Sequence, residues 1–139
     1  EGIPFQIVPG ITAASGCGSY AGIPLTHRDC AQSVRFLAGH MKDGKLKLDW
    51  KNLVSSQQTL VFYMGLLSIN TICEKLIKHG MDSSTPIAAI EHGTTRNQRV
   101  IVSKLREISS VLDKGDFESP TLLIIGAVVT LRERLSWYG

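Results

Sequence analysis

Short apolar runs that end at a glycine recur along this chain, and helix-like segments separate them. The glycines that close these runs are Gly10, Gly65, Gly93 and Gly126. Runs rich in Val, Ile and Leu are typical of strands buried on both faces of a sheet. In open α/β sheets, ligands bind beyond the strand ends, where glycine lets the backbone approach them closely. The four turns therefore indicate a shared crevice.

The spacing of the apolar residues predicts strands that alternate with helices. We predict strands over residues 5–8, 33–38, 59–63, 86–90, 99–102 and 121–125. The strands over 86–90 and 99–102 are close enough along the chain to pair antiparallel as a hairpin. The sequence therefore predicts an α/β layer with a mixed rather than a purely parallel sheet.

Helices are predicted over residues 11–21, 69–77, 105–112 and 132–137. In the second of these, the apolar residues fall on one stripe at positions i, i+3, i+4, i+7 and i+8. Ser103 is expected to cap the third. The first contains Gly16 and Gly18, each of which costs roughly 1 kcal/mol relative to alanine inside a helix. We therefore expect a neighbour or a ligand to approach its backbone closely.

The composition of the chain excludes several classes of protein. With 139 residues, of which 43% are hydrophobic and 19% charged, it is expected to form one domain with a sizeable core. Three cysteines without a CxxC spacing argue against a disulfide framework, so we expect a reducing, cytoplasmic location. No apolar run is long enough to cross a bilayer, and residues 1–4 do not resemble a signal peptide. Because Glu1 rather than Met opens the chain, we expect it to be cut from a longer protein.

The charged and metal-ligating residues predict neither a nucleic-acid surface nor a metal site. The net charge is +3, and aspartates interrupt the lysines between residues 42 and 51, which is typical of a solvated face. Arg96 and Arg99 are also expected to be solvated. The histidines and cysteines match no zinc spacing; they are His27, His40, His79, His92, Cys17, Cys30 and Cys73.

Five segments carry a more specific pattern. They are residues 9–14 (PGITAA), 21–28 (AGIPLTHR), 60–65 (LVFYMG), 91–94 (EHGT) and 123–129 (LIIGAVV). In this order and spacing they resemble the tetrapyrrole methylases of the uroporphyrinogen-III type, over nearly the whole chain. Residues 25–34 are particularly similar to the C-terminal part of siroheme synthases.

This resemblance implies a two-domain methyltransferase fold, with the cofactor in the cleft between an N-terminal and a C-terminal α/β domain. Residues 1–10 would end the interdomain connection and residues 11–139 would form the C-terminal subdomain, the N-terminal domain being absent. The implied cofactor is S-adenosyl-L-methionine. The implied reaction methylates uroporphyrinogen III to precorrin-2 in siroheme or cobalamin biosynthesis. A homodimer is expected, with neither nucleic acid nor membrane as partner.

Four positions match cofactor contacts of the family: Thr12, Ala13, Met64 and Gly93. Thr12 and Ala13 open a predicted helix, whose free N–H groups suit a carboxylate such as that of a methionine moiety. Met64 is expected to pack on the adenine or the sulfonium region. A core-edge methionine is the alternative interpretation for Met64.

The implied substrate carries a ring of carboxylates, which guanidinium groups bind in bidentate geometry. Arg28 is the first candidate for this contact, followed by His27 and Tyr63. An ion pair of Arg28 with Asp29 or Glu91 is the alternative. Because the family's proton-transfer residues lie in the N-terminal domain, no catalytic residue is expected in this chain and the isolated chain is expected to be inactive.

Two other functions stay open on the sequence. One is a different branch of the same superfamily, a precorrin methyltransferase or a ribosomal-RNA ribose methyltransferase. The other is a non-catalytic module that only binds or dimerises, because apolar surface left without its partner domain promotes association.

Overall fold

The computed structural model describes residues 2–40 and 45–139. The elements in chain order are α1 (Ala13–Ala21), β1 (Ser33–Ala38), β2 (Gln58–Tyr63), α2 (Ile69–Lys78), β3 (Pro86–Glu91), β4 (Arg99–Lys104), α3 (Ile108–Lys114), β5 (Thr121–Ile125) and α4 (Arg132–Leu135). The predicted strands from residue 33 onward and the predicted helices are all found, with ends displaced by a few residues. Within these ranges, no helix is long and apolar enough to cross a membrane.

The strands form one five-stranded sheet in the order β1-β2-β5-β3-β4. β1 and β2 are parallel, whereas β5 runs antiparallel to both β2 and β3, and β4 pairs antiparallel with β3. The predicted mixed sheet and its hairpin are therefore confirmed. As a consequence, β1, β2 and β3 end at the same edge of the sheet, and β5 begins there.

Both faces of the sheet are covered, which explains why its central strands are almost wholly apolar. Leu60 and Phe62 of β2 point into a core beneath α2 and α3, while Val61 points into a second core beneath α1. All three side chains are fully buried. The sheet is thus the middle of three layers. Side chains from several strands can therefore line a common cavity only where the strands end.

The predicted strand over residues 5–8 is wrong. These residues lie outside the sheet, and the apolar side chains of the segment are 72–86% exposed; they are Ile3, Phe5, Ile7, Val8 and Ile11. The alternation of residue types is present, but a strand also requires a neighbouring backbone with which to pair. The sheet ends at β1 and β4, and neither pairs with this segment.

Two helix starts differ from the prediction. α1 begins at Ala13 because Thr12 is extended, with φ −65° and ψ 144°. Ser103 does not cap α3, since it pairs with Ile87 in the sheet ladder and the helix begins only after Glu107. The cap position is Glu107, so Ser103 lies too far before the helix for its hydroxyl to accept a first-turn N–H.

The lysine-rich segment that was predicted to be a solvated face is only partly on the surface. Lys45, Lys47 and Lys51 are exposed, as expected, whereas Trp50 is buried in the core beneath α2. Residues 41–44, including Lys42, lie outside the described residues. The segment 45–53 therefore supplies core side chains as well as charge.

Candidate functional site

A cavity of about 570 Å³ opens at the edge where β1, β2 and β3 end. Its walls come from successive strand ends: His40 follows β1, Met64 follows β2, Gly93 follows β3, and Thr121 begins β5. Ala13, at the start of α1, closes a further side. The volume lies in the range of small-molecule sites, roughly 300–1,000 Å³.

Three of the four predicted cofactor residues line this cavity: Ala13, Met64 and Gly93. The fourth, Thr12, is joined to it through Tyr63, because the Thr12 hydroxyl and the Tyr63 phenol share a hydrogen bond. The Tyr63 side chain also lines the cavity. The structure thus brings these residues together at one place, and their contact with a cofactor stays a prediction.

The N-terminus of α1 offers fewer free donors than the sequence suggested. The Ala14 N–H donates to the Tyr63 phenol oxygen at 2.9 Å, and the Ser15 N–H donates to the Thr12 carbonyl at 3.0 Å. The Ala13 N–H is the first-turn donor that neither contact uses. Two of the free N–H groups expected at this helix start are therefore already used.

Of the predicted substrate residues, only Tyr63 lines the cavity. His27 and Arg28 lie in the loop before β1, which a backbone bridge between His27 and Ala31 closes. The His27 Nδ1 accepts the Asp29 N–H at 3.2 Å. Arg28 is exposed, and across residues 2–40 and 45–139 its guanidinium forms no ion pair.

Two residues on the cavity wall adopt left-handed backbone conformations that are rare for their type. Met64 has φ 55° and His92 has φ 46°, and both line the cavity. Such a conformation costs a non-glycine residue about 1–2 kcal/mol. Met64 is 63% exposed at the cavity mouth.

Close packing explains two glycines of the site, against a side chain at Gly93 and against backbone at Gly39. A Cβ on Gly93 would overlap the Cys17 sulfur and lie 3.2 Å from the Cys17 Cβ. A Cβ on Gly39, which follows β1, would overlap the Gly65 Cα. Gly39 was not among the predicted glycines, although it directly follows a predicted strand, which is the pattern that identified the other turns.

The four-glycine crevice predicted from the sequence is half right. The turns at Gly65 and Gly93 reach the cavity edge. Gly126 follows β5, which runs the other way, and its N–H donates to the Pro86 carbonyl at the opposite edge. Gly10 lies in the exposed segment before α1, with no atom within 4 Å of where its Cβ would be.

The rest of the lining could be found only from the fold, because no sequence pattern joins it. It includes Leu66 and Leu67 after β2, Ser119 and Pro120 before β5, and Cys17 on α1.

Burial raises the pKa of the Cys17 thiol above its ordinary value, so the thiol is neutral near pH 7 and is not a thiolate nucleophile.

Arg99 is exposed, as predicted, but it is more than a solvated side chain. Its guanidinium forms a bidentate ion pair with the buried carboxylate of Glu91. Glu91 is the last residue of β3 and stands opposite Arg99 in the β3–β4 register. The alternative that Glu91 pairs with Arg28 is therefore not realised.

Residues 1–109 match the family Tetrapyrrole (Corrin/Porphyrin) Methylases. The chain belongs to this family. It is 59% identical over 138 residues to the siroheme synthase of Pseudomonas putida (strain W619), an alignment that covers 99% of this chain and 30% of that protein. Tetrapyrrole methylases of this kind are thus longer than the chain, which spans 30% of the length of the curated relatives that it matches.

Solved structures of the family share its fold. The uroporphyrin-III C-methyltransferase of Thermus thermophilus superposes with a TM-score of 0.77 at 31% identity, over 96% of this chain and 56% of that one. Its complex with S-adenyl homocysteine gives 0.75 at 30% identity, over 92% and 53%. A cobalt precorrin-4 methyltransferase has the same fold, with a TM-score of 0.80 at 15% identity over 89% and 52%. The chain therefore corresponds to about half of the tetrapyrrole methylase fold.

Proposed function

We propose that this chain is the C-terminal, cofactor-binding part of an S-adenosyl-L-methionine-dependent uroporphyrinogen-III C-methyltransferase. The protein that contains it would form precorrin-2 for siroheme or cobalamin synthesis. The observation that carries the proposal is the convergence of Ala13, Met64 and Gly93, together with Tyr63, on one cavity. The Thermus thermophilus relative bound to S-adenyl homocysteine supports the choice of ligand.

The residues around the cavity fit such a cofactor. Apolar atoms make up most of the cavity surface, as an adenosyl group requires. The exposed thioether of Met64 at the mouth suits contact with an aromatic base or a sulfonium. The free Ala13 N–H at the positive end of α1 favours a carboxylate.

The cofactor supplies an activated methyl group on a sulfonium, and the residues of this chain supply position. The left-handed backbones of Met64 and His92 turn the chain at the ends of β2 and β3, beside the cavity. Tyr63 joins the end of β2 to the start of α1 through Thr12 and Ala14. Holding two reactants in line can contribute roughly 7–11 kcal/mol to lowering a barrier. A pyrrole carbon is itself the nucleophile, so the neutral thiol of Cys17 has no covalent step to perform.

We also propose that residues 1–10 end an interdomain connection and that residues 11–139 form the C-terminal subdomain. The exposed apolar side chains before α1, among them Ile3, Phe5 and Ile7, support a covering by further protein. The share of the relatives that this chain spans supports the same division. A cytoplasmic homodimer is the assembly that we expect for the complete enzyme.

The function is tested by comparing the full-length protein with the isolated chain. We expect the full-length protein to bind S-adenosylhomocysteine in calorimetry and to convert uroporphyrinogen III to precorrin-2, followed by absorbance. We expect the isolated chain to form no product, because half of the cleft is missing. Product formation by the chain alone would contradict the division between domains. Full-length activity on a later precorrin or on RNA, but not on uroporphyrinogen III, would move the protein to another branch of the superfamily.

Arg28 is proposed as a contact for a carboxylate of the tetrapyrrole, because it is exposed and has no ion-pair partner among the described residues. In the full-length enzyme, Arg28→Ala should raise the KM for uroporphyrinogen III about tenfold, as expected for loss of a charge-assisted hydrogen bond. The affinity for S-adenosylhomocysteine should not change. Arg28→Lys is the matched control, because lysine keeps the positive charge but lacks the bidentate geometry of a guanidinium. A loss of cofactor affinity with unchanged KM would remove Arg28 from the substrate site.

A further inference from the structure

An ion pair between the buried carboxylate of Glu91 and the half-exposed guanidinium of Arg99 lies directly behind the cavity wall. Glu91 is 3% exposed and immediately precedes His92 and Gly93, both of which line the cavity. Burying a carboxylate is unfavourable unless it is paired and hydrogen-bonded. Neither Glu91 nor its partner Arg99 lines the cavity, so the pair has no part in the site described above.

The Glu91 carboxylate is fully engaged. Arg99 donates to both of its oxygens, through Nε to Oε2 and through Nη2 to Oε1 at 2.8 Å. The Glu118 N–H donates to Oε1 at 2.6 Å. Charge-assisted bidentate contacts of this kind are stronger and more directional than neutral hydrogen bonds.

Arg99 extends the network into the segment before β5. Its Nη1 donates to the Gly115 carbonyl at 2.9 Å and its Nη2 to the Asp116 carbonyl at 2.8 Å. Its guanidinium carbon lies 4.5 Å from the centre of the Phe117 ring, a cation–π contact. One side chain therefore holds three consecutive residues of this segment.

The segment held in this way continues into the cavity wall. Glu118 is followed by Ser119, Pro120 and Thr121, all of which line the cavity. The Pro120 carbonyl accepts the His92 N–H at 3.0 Å, so the two walls also touch directly. The β3–β5 ladder holds Glu91 opposite Thr121, and the Glu91–Arg99 pair holds residues 115–118, which lead into Ser119 and Pro120.

We propose that Glu91 and Arg99 are positioning residues that hold residues 115–118 and thereby place Ser119 and Pro120 on the cavity wall, and so determine the affinity for the S-adenosyl ligand. The inference rests on the proposed function, because it assumes that this ligand occupies the cavity. The pair acts through Ser119 and Pro120, without touching the ligand.

The charge state of the pair agrees with this role. The Arg99 guanidinium, together with the Glu118 N–H, holds the pKa of Glu91 below its ordinary value. A lowered pKa means that the stabilisation is complete above the pKa of an unfolded glutamate and is lost as the pH falls through the lowered value. The pair is therefore ionised throughout the neutral range.

The proposal is tested in the full-length protein with Glu91→Gln. The substituted amide would point a donor at Arg99 or at the Glu118 N–H, which breaks the network without a large change in volume. We expect the Kd for S-adenosylhomocysteine in calorimetry to rise roughly tenfold, while the KM for uroporphyrinogen III does not change. Arg99→Lys should also weaken the binding of S-adenosylhomocysteine. An ammonium group cannot form the bidentate contact with Glu91 and also donate to the Gly115 and Asp116 carbonyls. Arg96→Gln, an exposed arginine just before β4, should not change the Kd.

Ile87→Val separates positioning from a general loss of stability. Ile87 is fully buried at the other end of β3, so removal of one methyl group lowers the melting temperature away from the cavity. We expect this variant to keep the wild-type Kd at a temperature where all variants are folded. If Glu91→Gln also keeps the wild-type Kd, the positioning role is wrong while the proposed function stands. If the wild-type protein does not bind S-adenosylhomocysteine, the proposed function fails and the positioning role fails with it.

Discussion

Replacement of Met64 by aspartate in the full-length protein should weaken S-adenosylhomocysteine binding at least about thirtyfold, or about 2 kcal/mol, because a carboxylate would be desolvated against an adenosyl group. The fold should be almost unaffected. Met64 is 63% exposed and has φ 55°, and aspartate tolerates a left-handed backbone better than most residues. Calorimetry would give the affinity, and denaturant unfolding would give the stability.

Met64→Asn is the matched control for this experiment. Asparagine has nearly the size of aspartate and also tolerates a left-handed backbone, but it carries no charge. We expect its loss of affinity to be smaller than that of the aspartate variant. Unchanged affinity in Met64→Asp would show that the residue lies outside the ligand site, whatever its position at the cavity mouth.

Gly39→Ala should destabilise the fold by about 3 kcal/mol, at the upper end of what overpacking causes. The new Cβ would overlap the Gly65 Cα and lie 2.9 Å from the Gly65 nitrogen and 3.0 Å from the Tyr63 carbonyl oxygen. All three atoms are backbone, so no side-chain rotation can relieve the contact. The Gly39 N–H also donates to that carbonyl at 2.6 Å.

Denaturant unfolding followed by circular dichroism would measure this effect, with Gly10→Ala as the control. The space around Gly10 is open, so its substitution should change the free energy of unfolding by less than about 0.5 kcal/mol. Equal stability of the two variants would mean that the backbones after β1 and β2 can separate without cost. Because Gly39 precedes His40 and Gly65 follows Met64, loss of this contact should also widen the cavity mouth.

The central strands could be predicted from the sequence because burial on both faces leaves a direct mark on residue type. The run from Thr121 to Ile125 is an example, since each of its residues is buried. The segment 5–8 has a comparable pattern and forms no strand. The residue types show which side chains a strand would bury. They do not show whether a neighbouring backbone is available to pair with that strand.

The candidate site was predictable where it depended on local turns and unpredictable where it depended on chain direction. Met64 and Gly93 follow strands that run the same way, so strand-end reasoning found them. Gly126 has the same local pattern, but it follows a strand that runs in the opposite direction. The Glu91–Arg99 pair was within reach of sequence reasoning, because the predicted hairpin places these residues opposite each other once its register is known.

The reversed direction of β5 decides which stretch of sequence can alter the pocket. For β1, β2 and β3, a change just downstream of the strand alters the cavity wall. For β5 the relation is inverted, so insertions or substitutions upstream of Thr121 alter the cavity wall, whereas those downstream of Ile125 lie at the opposite edge of the sheet. Around the fifth strand, changes in the cavity should therefore arise from the residues before it, and Gly126 behind it has a role in the fold alone.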